Sequence, residues 1–404
     1  MIKKIKVDQL KPGVYIDSLN CDWLNHPFLT NKIRIKTEQD IDKIIRHGIN
    51  EVYIDTDKGL DIVDAPTKKE VDQAIQKEIN NIADSQSKPI SRTPLKEELM
   101  HAKDIINDTK KTMQSIMEDV RIGKQIELDN VNSVVDKISE SILHNKDALI
   151  SLVRIRLKDE YTYIHSLAVC ALLVAFGEHL NFDYKTIRAI GIGGLLHDIG
   201  KVRIPLEILN KNGKLTEDEF TIVKEHVKHS SYIVGGHSEI DDISAYVVSQ
   251  HHERLNGTGY PGNLKGDEIS LYGQISAIAD VYDALTSDRC YHDKSLPTEV
   301  LRKLFEWSGS YFNKDLMEQF ICCVGIYPVG TLVRLESGLL GIVVDHGEKG
   351  LLYPVVRVIY NTKKEMFIMP YDLDLSKPTS SGISDSVLNY ESPQKWHIRP
   401  ETYL

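Results

Sequence analysis

The chain has 404 residues, of which 41% are hydrophobic and 27% charged, a composition typical of a globular protein with room for two or three domains. Its formal net charge is −10 and no long basic run occurs, which argues against non-specific binding of nucleic acid polymers. The five cysteines form no CxxC pair, which indicates reduced thiols and a cytoplasmic location. The longest apolar run, residues 167–176, is too short to cross a bilayer, and the first residues lack the apolar core of a signal peptide, so no membrane association is expected.

Residues 1–65 are predicted to form a small α+β module. Residues 13–16, 33–35 and 51–55 have strand-like patterns, and Thr37 is a candidate N-cap for a helix that ends at Gly48. Residues 66–135 are polar and predict a helical linker with a flexible loop near 85–94. The amphipathic helices of this linker could also pair with a second subunit.

Residues 136–325 are predicted to be helical almost throughout, because apolar residues recur every three or four positions without sustained alternation. Residues 326–404 change to short β-rich runs separated by glycines, which predicts a β-rich tail. His346 and His397 are isolated in that tail and receive no function. The predicted fold class is therefore mainly α, with an all-α domain between a small α+β module and a small β-rich tail.

His197 and Asp198 stand side by side in the segment HDIGK, at the end of an apolar run. Imidazole and carboxylate are the usual ligands of a hydrolytic divalent metal. On a helix the two side chains would point about 100° apart and could reach two metals or two sides of one. Gly200 fits the position just after a helix C-terminus, which would project Lys201 towards the metals. Alone, such a pair fits a surface helix end better than a metal site.

Four other predicted helices also direct histidine or aspartate towards the interior. His165, His226, the pair His251 and His252, and Asp280 each lie on an apolar stripe at helical spacing. A single inward histidine is usually a satisfied core residue, whereas a buried unpaired carboxylate is costly. Five helices that share this feature are explained most economically by shared metal charge.

Seven candidate ligands result: His165, His197, Asp198, His226, His251, His252 and Asp280. Seven are too many for one tetrahedral site and suit two octahedral metals, with Asp198 as the natural bridge. Two metals about 3.5–4 Å apart recur in phosphate ester hydrolysis because they activate a bridging water and neutralise phosphoryl oxygens. Lys201 is predicted to stabilise charge on the phosphate, and Arg289 to clamp a non-bridging oxygen. Either cation alone would more often be an ordinary surface residue.

The segments HDIGK (197–201), HHERLNGTGYP (251–261) and IADVYDALTSDRCY (278–291) together closely resemble the HD-GYP family. These are bacterial phosphodiesterases of the HD superfamily that hydrolyse cyclic di-GMP, and the resemblance covers about residues 140–325. It implies an all-α HD-type catalytic domain, two or three metals that are commonly iron or manganese, and substrate contacts from Gly259 and Tyr260. It also implies linear pGpG as first product, with GMP as an alternative end product, and a role in biofilm and motility signalling. The N-terminal module resembles the small domain found ahead of one HD-GYP subgroup.

Two positions depart from the family pattern. Trinuclear members have a glutamate four residues before the first ligand histidine, where this chain has Tyr161, and Glu160 is predicted to face elsewhere. We therefore expect two metals. Some members have a lysine three residues after the arginine that corresponds to Arg289, where this chain has His292 with Lys294 nearby, so phosphate contacts on that side are expected to be weaker or rearranged.

Two other classes of function stay open at this point. A non-catalytic module would bind a cyclic dinucleotide or a GGDEF-domain protein, although a degenerate domain would be expected to lose a ligand. Another HD phosphohydrolase would act on a different nucleotide, but the GYP triplet argues against it. A homodimer through the linker helices is a further alternative.

Overall fold

The computed structural model describes residues 1–21, 32–84, 93–155, 161–211, 213–287, 295–347, 349–378 and 385–404. Its helices are α1 Glu38–Arg46, α2 Lys68–Asp84, α3 Leu95–Arg121, α4 Leu128–Ile155, α5 Tyr161–His179, α6 Tyr184–Leu196, α7 Leu206–Leu209, α8 Glu217–Gly235, α9 Asp242–Gln250, α10 Leu271–Thr286, α11 Pro297–Trp307 and α12 Lys314–Val324. Its strands are β1 Ile2–Lys6, β2 Tyr15–Ser18, β3 Ile33–Arg34, β4 Glu51–Asp55, β5 Leu332–Leu335, β6 Leu339–Gly347, β7 Gly350–Asn361, β8 Met366–Asp374 and β9 Val387–Tyr390. The predicted mainly-α class, with a sheet at each end of the chain, is confirmed.

The N-terminal sheet is antiparallel with strand order β1-β4-β2-β3. Strand β1, which the sequence pattern did not reveal, pairs Ile5 with Val52 of β4. Helix α1 starts as predicted, since the Asp40 carboxylate accepts a hydrogen bond of 2.9 Å from the Thr37 N–H. After it, Gly48 takes a left-handed conformation with φ +67°, which lets the chain turn into β4.

The helices of the predicted linker pack inside this chain. The apolar stripe of α3, which includes Ala102, Ile106 and Met113, is buried, and α3 packs along α4. Helix α2 lies against α11, α12 and β7. Helix α4 runs without a break across the predicted boundary at residues 135 and 136 and kinks at Asn145. Most of the predicted loop, residues 85–92, lies outside the described residues.

The central helices enclose the part of the chain that carries the candidate ligands. Residues 165–176 of α5 are buried on every side, so this helix is a core element rather than an amphipathic one. Helix α6 packs closely against α9 because Gly193 carries no side chain. A Cβ at this position would lie only 2.6 Å from the Cβ of Val247. On another side Gly194 lets α6 approach the backbone of α5, where a Cβ on Gly194 would lie 3.0 Å from the Cα of Cys170. These close contacts align the ends of the helices around one point.

The C-terminal sheet is antiparallel, with strand order β8-β7-β6-β5-β9. The chain that leads into it is fixed to α4, because Lys146 and Arg154 donate hydrogen bonds to the carbonyl oxygens of Cys323 at the end of α12 and of Val329 shortly before β5. His346, which the sequence left without a role, is buried on β6 with its Nε2 3.4 Å from the Asp147 carboxylate of α4. In the described ranges, no helix has the length and apolar character needed to cross a membrane.

Candidate metal centre

The HDIGK segment forms the end of α6 and the turn that follows it. His197 caps α6, and Asp198 precedes a short 3-10 helix over Ile199–Arg203. The prediction that Gly200 comes directly after the helix C-terminus was wrong, since His197 caps α6 and Gly200 lies within the 3-10 helix, where it packs on α8. A Cβ on Gly200 would lie 2.1 Å from the carbonyl oxygen of His226, and the Gly200 N–H donates to Ser230 Oγ at 2.8 Å. Glycine is therefore needed at this position because the backbone of the HDIGK segment packs directly against α8. This contact joins HDIGK to the helix that carries His226.

The structure brings all seven candidate ligands into one buried cluster. Three groups of them place ligand atoms within 4.8 Å of one another: His226 with His251 and His252, His165 with His197 and Asp280, and His197 with Asp198 and His251. The seven residues come from α5, the end of α6, α8, the end of α9 and α10. Such a donor set of imidazoles and carboxylates fits a divalent metal site.

Asp198 lies at the middle of the cluster and uses its two oxygens in different directions. Its Oδ1 is 3.2 Å from His226 Nε2, whereas its Oδ2 is 3.3 Å from His197 Nε2 and 3.6 Å from His165 Nε2. Lys201 Nζ is 2.5 Å from the same Oδ2. A carboxylate whose oxygens face two different histidine groups has the geometry of a bridging ligand.

Asp280 is the second carboxylate of the cluster, and it also divides its two oxygens between two histidines. Its Oδ1 is 3.1 Å from His165 Nε2, and its Oδ2 is 3.6 Å from His252 Nδ1. Asp280 is 4% exposed, so its charge is shielded from water and depends on the groups around it.

Four of the histidines are oriented by their Nδ1 atoms. In His197, His226 and His251 this nitrogen lies 2.7–2.9 Å from the carbonyl oxygen three residues earlier in the chain. In His165 it lies 2.7 Å from Asp283 Oδ2. A carbonyl oxygen can only accept, so Nδ1 carries the proton and Nε2 presents its lone pair to the cluster. This is the arrangement that imidazole ligands need.

The protonation states also favour a cation. Burial disfavours a charge on His165, but hydrogen bonds to Asp280 and Asp283 outweigh it and raise the pKa of His165 to about 9, so that a metal at this position would have to displace the Nε2 proton. Burial, assisted by His197, lowers the pKa of His251 to about 3. Burial opposes ionisation of Asp198, yet Lys201 and His197 hold the pKa of that carboxyl well below its usual range. The cluster thus holds an ionised carboxylate and a neutral imidazole, the forms that bind metal.

Unsatisfied polar atoms support the same fit. Among the described residues, the buried atoms Asp198 Oδ1, His226 Nε2, His251 Nε2 and His252 Nδ1 have no well-oriented hydrogen-bond partner, even though Asp198 Oδ1 and His226 Nε2 lie only 3.2 Å apart. Four such atoms in one cluster would be costly in a plain protein core. A shared cation accounts for all four.

The GYP loop, defined here as residues 255–262, covers one side of the cluster. The ring of Tyr260 lies 4.6 Å from the ring of His252, and its N–H donates to the His252 carbonyl oxygen at 3.2 Å. Gly259 is buried because the loop passes directly over the backbone of Glu253 and Arg254, where a Cβ would lie 2.4 Å from the Arg254 nitrogen. Lys224 Nζ on α8 lies 5.9 Å from the centre of the Tyr260 ring, so a cation borders the mouth of the site.

Two supporting residues were missed by the sequence reasoning. Asp283 orients His165, and the available signal was its position three residues after Asp280 on the buried face of α10. Glu253 anchors the GYP loop, because its carboxylate accepts from the N–H groups of Gly262 at 2.6 Å and Leu264 at 3.1 Å. Arg289, which was predicted to bind phosphate, lies outside the described residues, as do His292 and Lys294.

Comparison with known proteins places this site in a family. Residues 2–131 match the model of a domain of unknown function, DUF3391, and residues 137–316 match the HD domain. The cyclic di-GMP phosphodiesterase PA4108 of Pseudomonas aeruginosa is 38% identical over 400 residues, which cover 99% of this chain and 94% of that protein. A cyclic di-GMP phosphodiesterase of Thermotoga maritima is 35% identical over 165 residues, 41% of this chain and 45% of that protein.

Among solved structures, Bd1817, an HDG"Y"P protein from Bdellovibrio bacteriovorus, aligns with a TM-score of 0.46 and 18% identity over 79% of this chain and 98% of that one. The match to the HD domain and the buried cluster of histidines and aspartates together identify the protein as a member of the HD-domain class. The full-length similarity to PA4108 is decisive within that class, and the chain belongs to the HD-GYP family of phosphodiesterases.

Proposed function

We propose that the protein hydrolyses cyclic di-GMP to linear pGpG with the help of two divalent metals, iron or manganese. The observation that carries the proposal is the bridging geometry of Asp198, whose two oxygens face two different groups of histidines. The substrate is supported by the names of the relatives in Pseudomonas and Thermotoga, and by the position of Tyr260 beside the cluster.

The residues that would hold the metals fall into two sets around Asp198. His226, His251 and His252 would serve one metal, and His165, His197 and Asp280 the other. When bound, such a pair supplies Lewis acidity, lowers the pKa of a bridging water and neutralises phosphoryl oxygens. The identity of the metals follows availability more than ligand type, because imidazole and carboxylate sites accept several cations.

The remaining tasks belong to side chains around the cluster. Lys201, held at Asp198, carries a positive charge at the position where a phosphate oxygen would approach. Tyr260 offers an aromatic face on which a guanine base would stack, and Gly259 gives the loop its close path over Arg254. Arg289 would supply a second phosphate contact, as the resemblance implies.

Activity on three substrates tests this proposal. Protein purified without oxygen and loaded with iron or manganese should convert cyclic di-GMP to pGpG faster than it converts 3'3'-cGAMP. It should also cleave bis(p-nitrophenyl) phosphate slowly, because that diester needs the metals but not the nucleotide contacts. Cleavage of the simple diester without cyclic di-GMP turnover would assign the site to another nucleotide. Absence of both reactions in metal-loaded protein would instead favour a binding module.

Further predictions concern the surroundings of the enzyme. A GGDEF-domain partner, a homodimer and a cytoplasmic location stay predictions from the sequence. A dimer through the linker would have to use faces other than the apolar stripe of α3, which is buried inside this chain. GMP as end product also stays a prediction, which analysis of the products at long reaction times would test.

A further inference from the structure

The N-terminal module touches the GYP loop directly. The carbonyl oxygen of Gly48, in the turn between α1 and β4, accepts a hydrogen bond of 3.4 Å from Asn256 Nδ2. A Cβ on Gly48 would lie only 2.3 Å from Thr258 Cγ2, so the backbone of the turn rests on the loop. This contact joins residues more than 200 positions apart and links the module of unknown function to the site.

Inside the loop, Asn256 uses both ends of its amide. Its Oδ1 accepts from the Thr258 N–H at 3.1 Å and from Thr258 Oγ1 at 2.7 Å, which closes a turn within the loop. Its Nδ2 reaches across to Gly48. Two residues after Thr258, Tyr260 lies over His252. A short run of contacts therefore leads from Gly48 to the aromatic ring beside the cluster.

The module is held firmly enough to act as a support. On α11, Glu306 accepts hydrogen bonds from Asn20 at 3.0 Å and Tyr53 at 2.7 Å, and forms an ion pair with Lys4 at 2.9 Å. The side chains of Lys4 and Glu306 are only 14% and 10% exposed. Trp307 completes the contact by donating to Asn20 Oδ1 at 3.1 Å. A partly buried ion pair with further hydrogen bonds fixes the orientation of the two modules.

We propose that the N-terminal module is a positioning element of the substrate site. Its Gly48 turn holds residues 256–258 of the GYP loop, so that Tyr260 stays over His252 in the place where a base of the substrate would stack. The effect on substrate rests on the proposed function, whereas the effect on the loop does not. Gly48 and Asn256 are thus positioning residues that act through Tyr260 and touch no reacting atom.

The variant Gly48→Ala tests the contact by adding a methyl group at the interface. We expect KM for cyclic di-GMP to rise about tenfold, with kcat changed less than about twofold, because the loop shifts while the metal cluster stays intact. Metal content should equal that of the parent protein. Amide hydrogen exchange in residues 255–262 should become faster, and this readout needs no turnover.

Gly123→Ala is the matched control. Gly123 also has a left-handed backbone, with φ +83°, but a Cβ there would meet nothing within 4 Å. It therefore reproduces the backbone strain of Gly48→Ala without the contact. This variant should keep the KM and the loop exchange of the parent protein.

Two further variants separate the contact from folding defects. Asn256→Asp keeps the Oδ1 acceptor of the loop turn but replaces the Nδ2 donor that faces the Gly48 oxygen by a second acceptor. KM and the rate of amide hydrogen exchange in residues 255–262 should therefore rise as in Gly48→Ala. Thr258→Ser removes Cγ2 and keeps the hydroxyl. The effect of Gly48→Ala should therefore be smaller in a Thr258→Ser background than in the parent chain.

The outcomes decide the proposal in either direction. If Gly48→Ala matches Gly123→Ala in KM and in exchange of residues 255–262, the proposal is overturned. Equal losses of kcat and metal content would also overturn it, because the module would then support stability alone. If Gly48→Ala does not fold, parent-like behaviour of Asn256→Asp would overturn the proposal, and raised KM with faster exchange would support it. If the parent protein itself does not turn over cyclic di-GMP, the proposed function fails, and amide exchange in residues 255–262 alone decides the positioning role.

Discussion

His165 is set between two carboxylates that have different tasks. Asp280 faces its Nε2 at 3.1 Å, on the side of the cluster, and Asp283 holds its Nδ1 at 2.7 Å from behind. The second contact lies outside the group of candidate ligands and holds the Nδ1 proton, which leaves Nε2 as the nitrogen that faces the cluster. Asp283 is therefore a supporting residue whose effect should be seen in metal affinity before it is seen in stability.

Asp283→Ala is expected to weaken metal binding by about 10–100-fold, since groups that orient a ligand typically contribute that much. Asp283→Asn should lose less, because its amide oxygen can still accept from Nδ1. Competition with a chelator, followed by metal analysis, measures both variants. Equal affinities for Asp283→Ala and the parent protein would remove this residue from the site.

The sequence predicted the seven cluster residues but not Asp283, for a physical reason. Helical spacing reveals which side chains share a face, and histidine on an apolar face is conspicuous. The pairing of Asp283 with His165 joins residues 118 positions apart, and no local pattern encodes which carboxylate meets which ring. The prediction for Gly200 was wrong for the same reason, because the surroundings of this residue are set by contacts with α8 and not by the helix that precedes it.

Tyr260 should affect substrate but not metal. Its ring lies against His252 from the side of the loop and forms no part of the ligand groups. We expect Tyr260→Ala to raise KM for cyclic di-GMP about tenfold and to leave metal content unchanged, because stacking of a base is worth about 1–3 kcal/mol. Tyr260→Phe keeps the ring and should lose little. Steady-state kinetics with metal analysis tests this, and loss of metal from the alanine variant would assign the loop a structural role.

At the scale of elements, the sheets are attached to the helical domain by buried polar contacts. Asp147 on α4 and His346 on β6 form such a contact, and a Cβ on Gly325 would meet the His346 ring at 2.8 Å. Periodicity predicted the helices well, because their apolar faces are long. It missed β1, β8 and β9. The strands β8 and β9 are the two edges of their sheet, and β8 has mostly exposed side chains and hence little apolar alternation.

The Asp147 contact predicts a pH-dependent contribution to stability. Burial alone would raise the pKa of Asp147, but the contact with His346, together with the nearby Lys146 and Arg154, outweighs burial and lowers the pKa to about 2 from the ordinary 3.8. Because the folded pKa is depressed, the stabilisation is complete above the ordinary value and is lost as the pH falls from about 4 to 2. The shift corresponds to about 2 kcal/mol.

Asp147→Asn should therefore lower the free energy of unfolding by about 2 kcal/mol at neutral pH, with a difference that shrinks below about pH 4. Urea unfolding between pH 7 and pH 3 measures this difference. Asp104→Asn, at an exposed position on α3, is the control and should change little. A constant difference over the whole pH range would show that the charge of Asp147 is not the cause.

At the scale of the whole molecule, one chain combines a helical domain, which carries the candidate metal site, with two sheet modules. The two end modules were visible in the sequence as changes of pattern. Their contacts with the helical domain were not, because Lys4 with Glu306 and Asp147 with His346 each join distant parts of the chain. The resemblance to the HD-GYP family identified the catalytic domain, whereas the place of the N-terminal module beside the GYP loop required the three-dimensional structure.

The central claim is that Asp198 bridges two metals that carry out the hydrolysis of cyclic di-GMP. Metal content and turnover measured on the same anaerobically purified samples test it most directly, with Asp198→Ala beside the parent protein and Asp104→Ala as control. The account predicts two metals per parent chain with pGpG formation, and loss of turnover together with most of the metal in Asp198→Ala. Full metal content with near-parent turnover in Asp198→Ala, or three well-occupied sites in the parent protein, would contradict it.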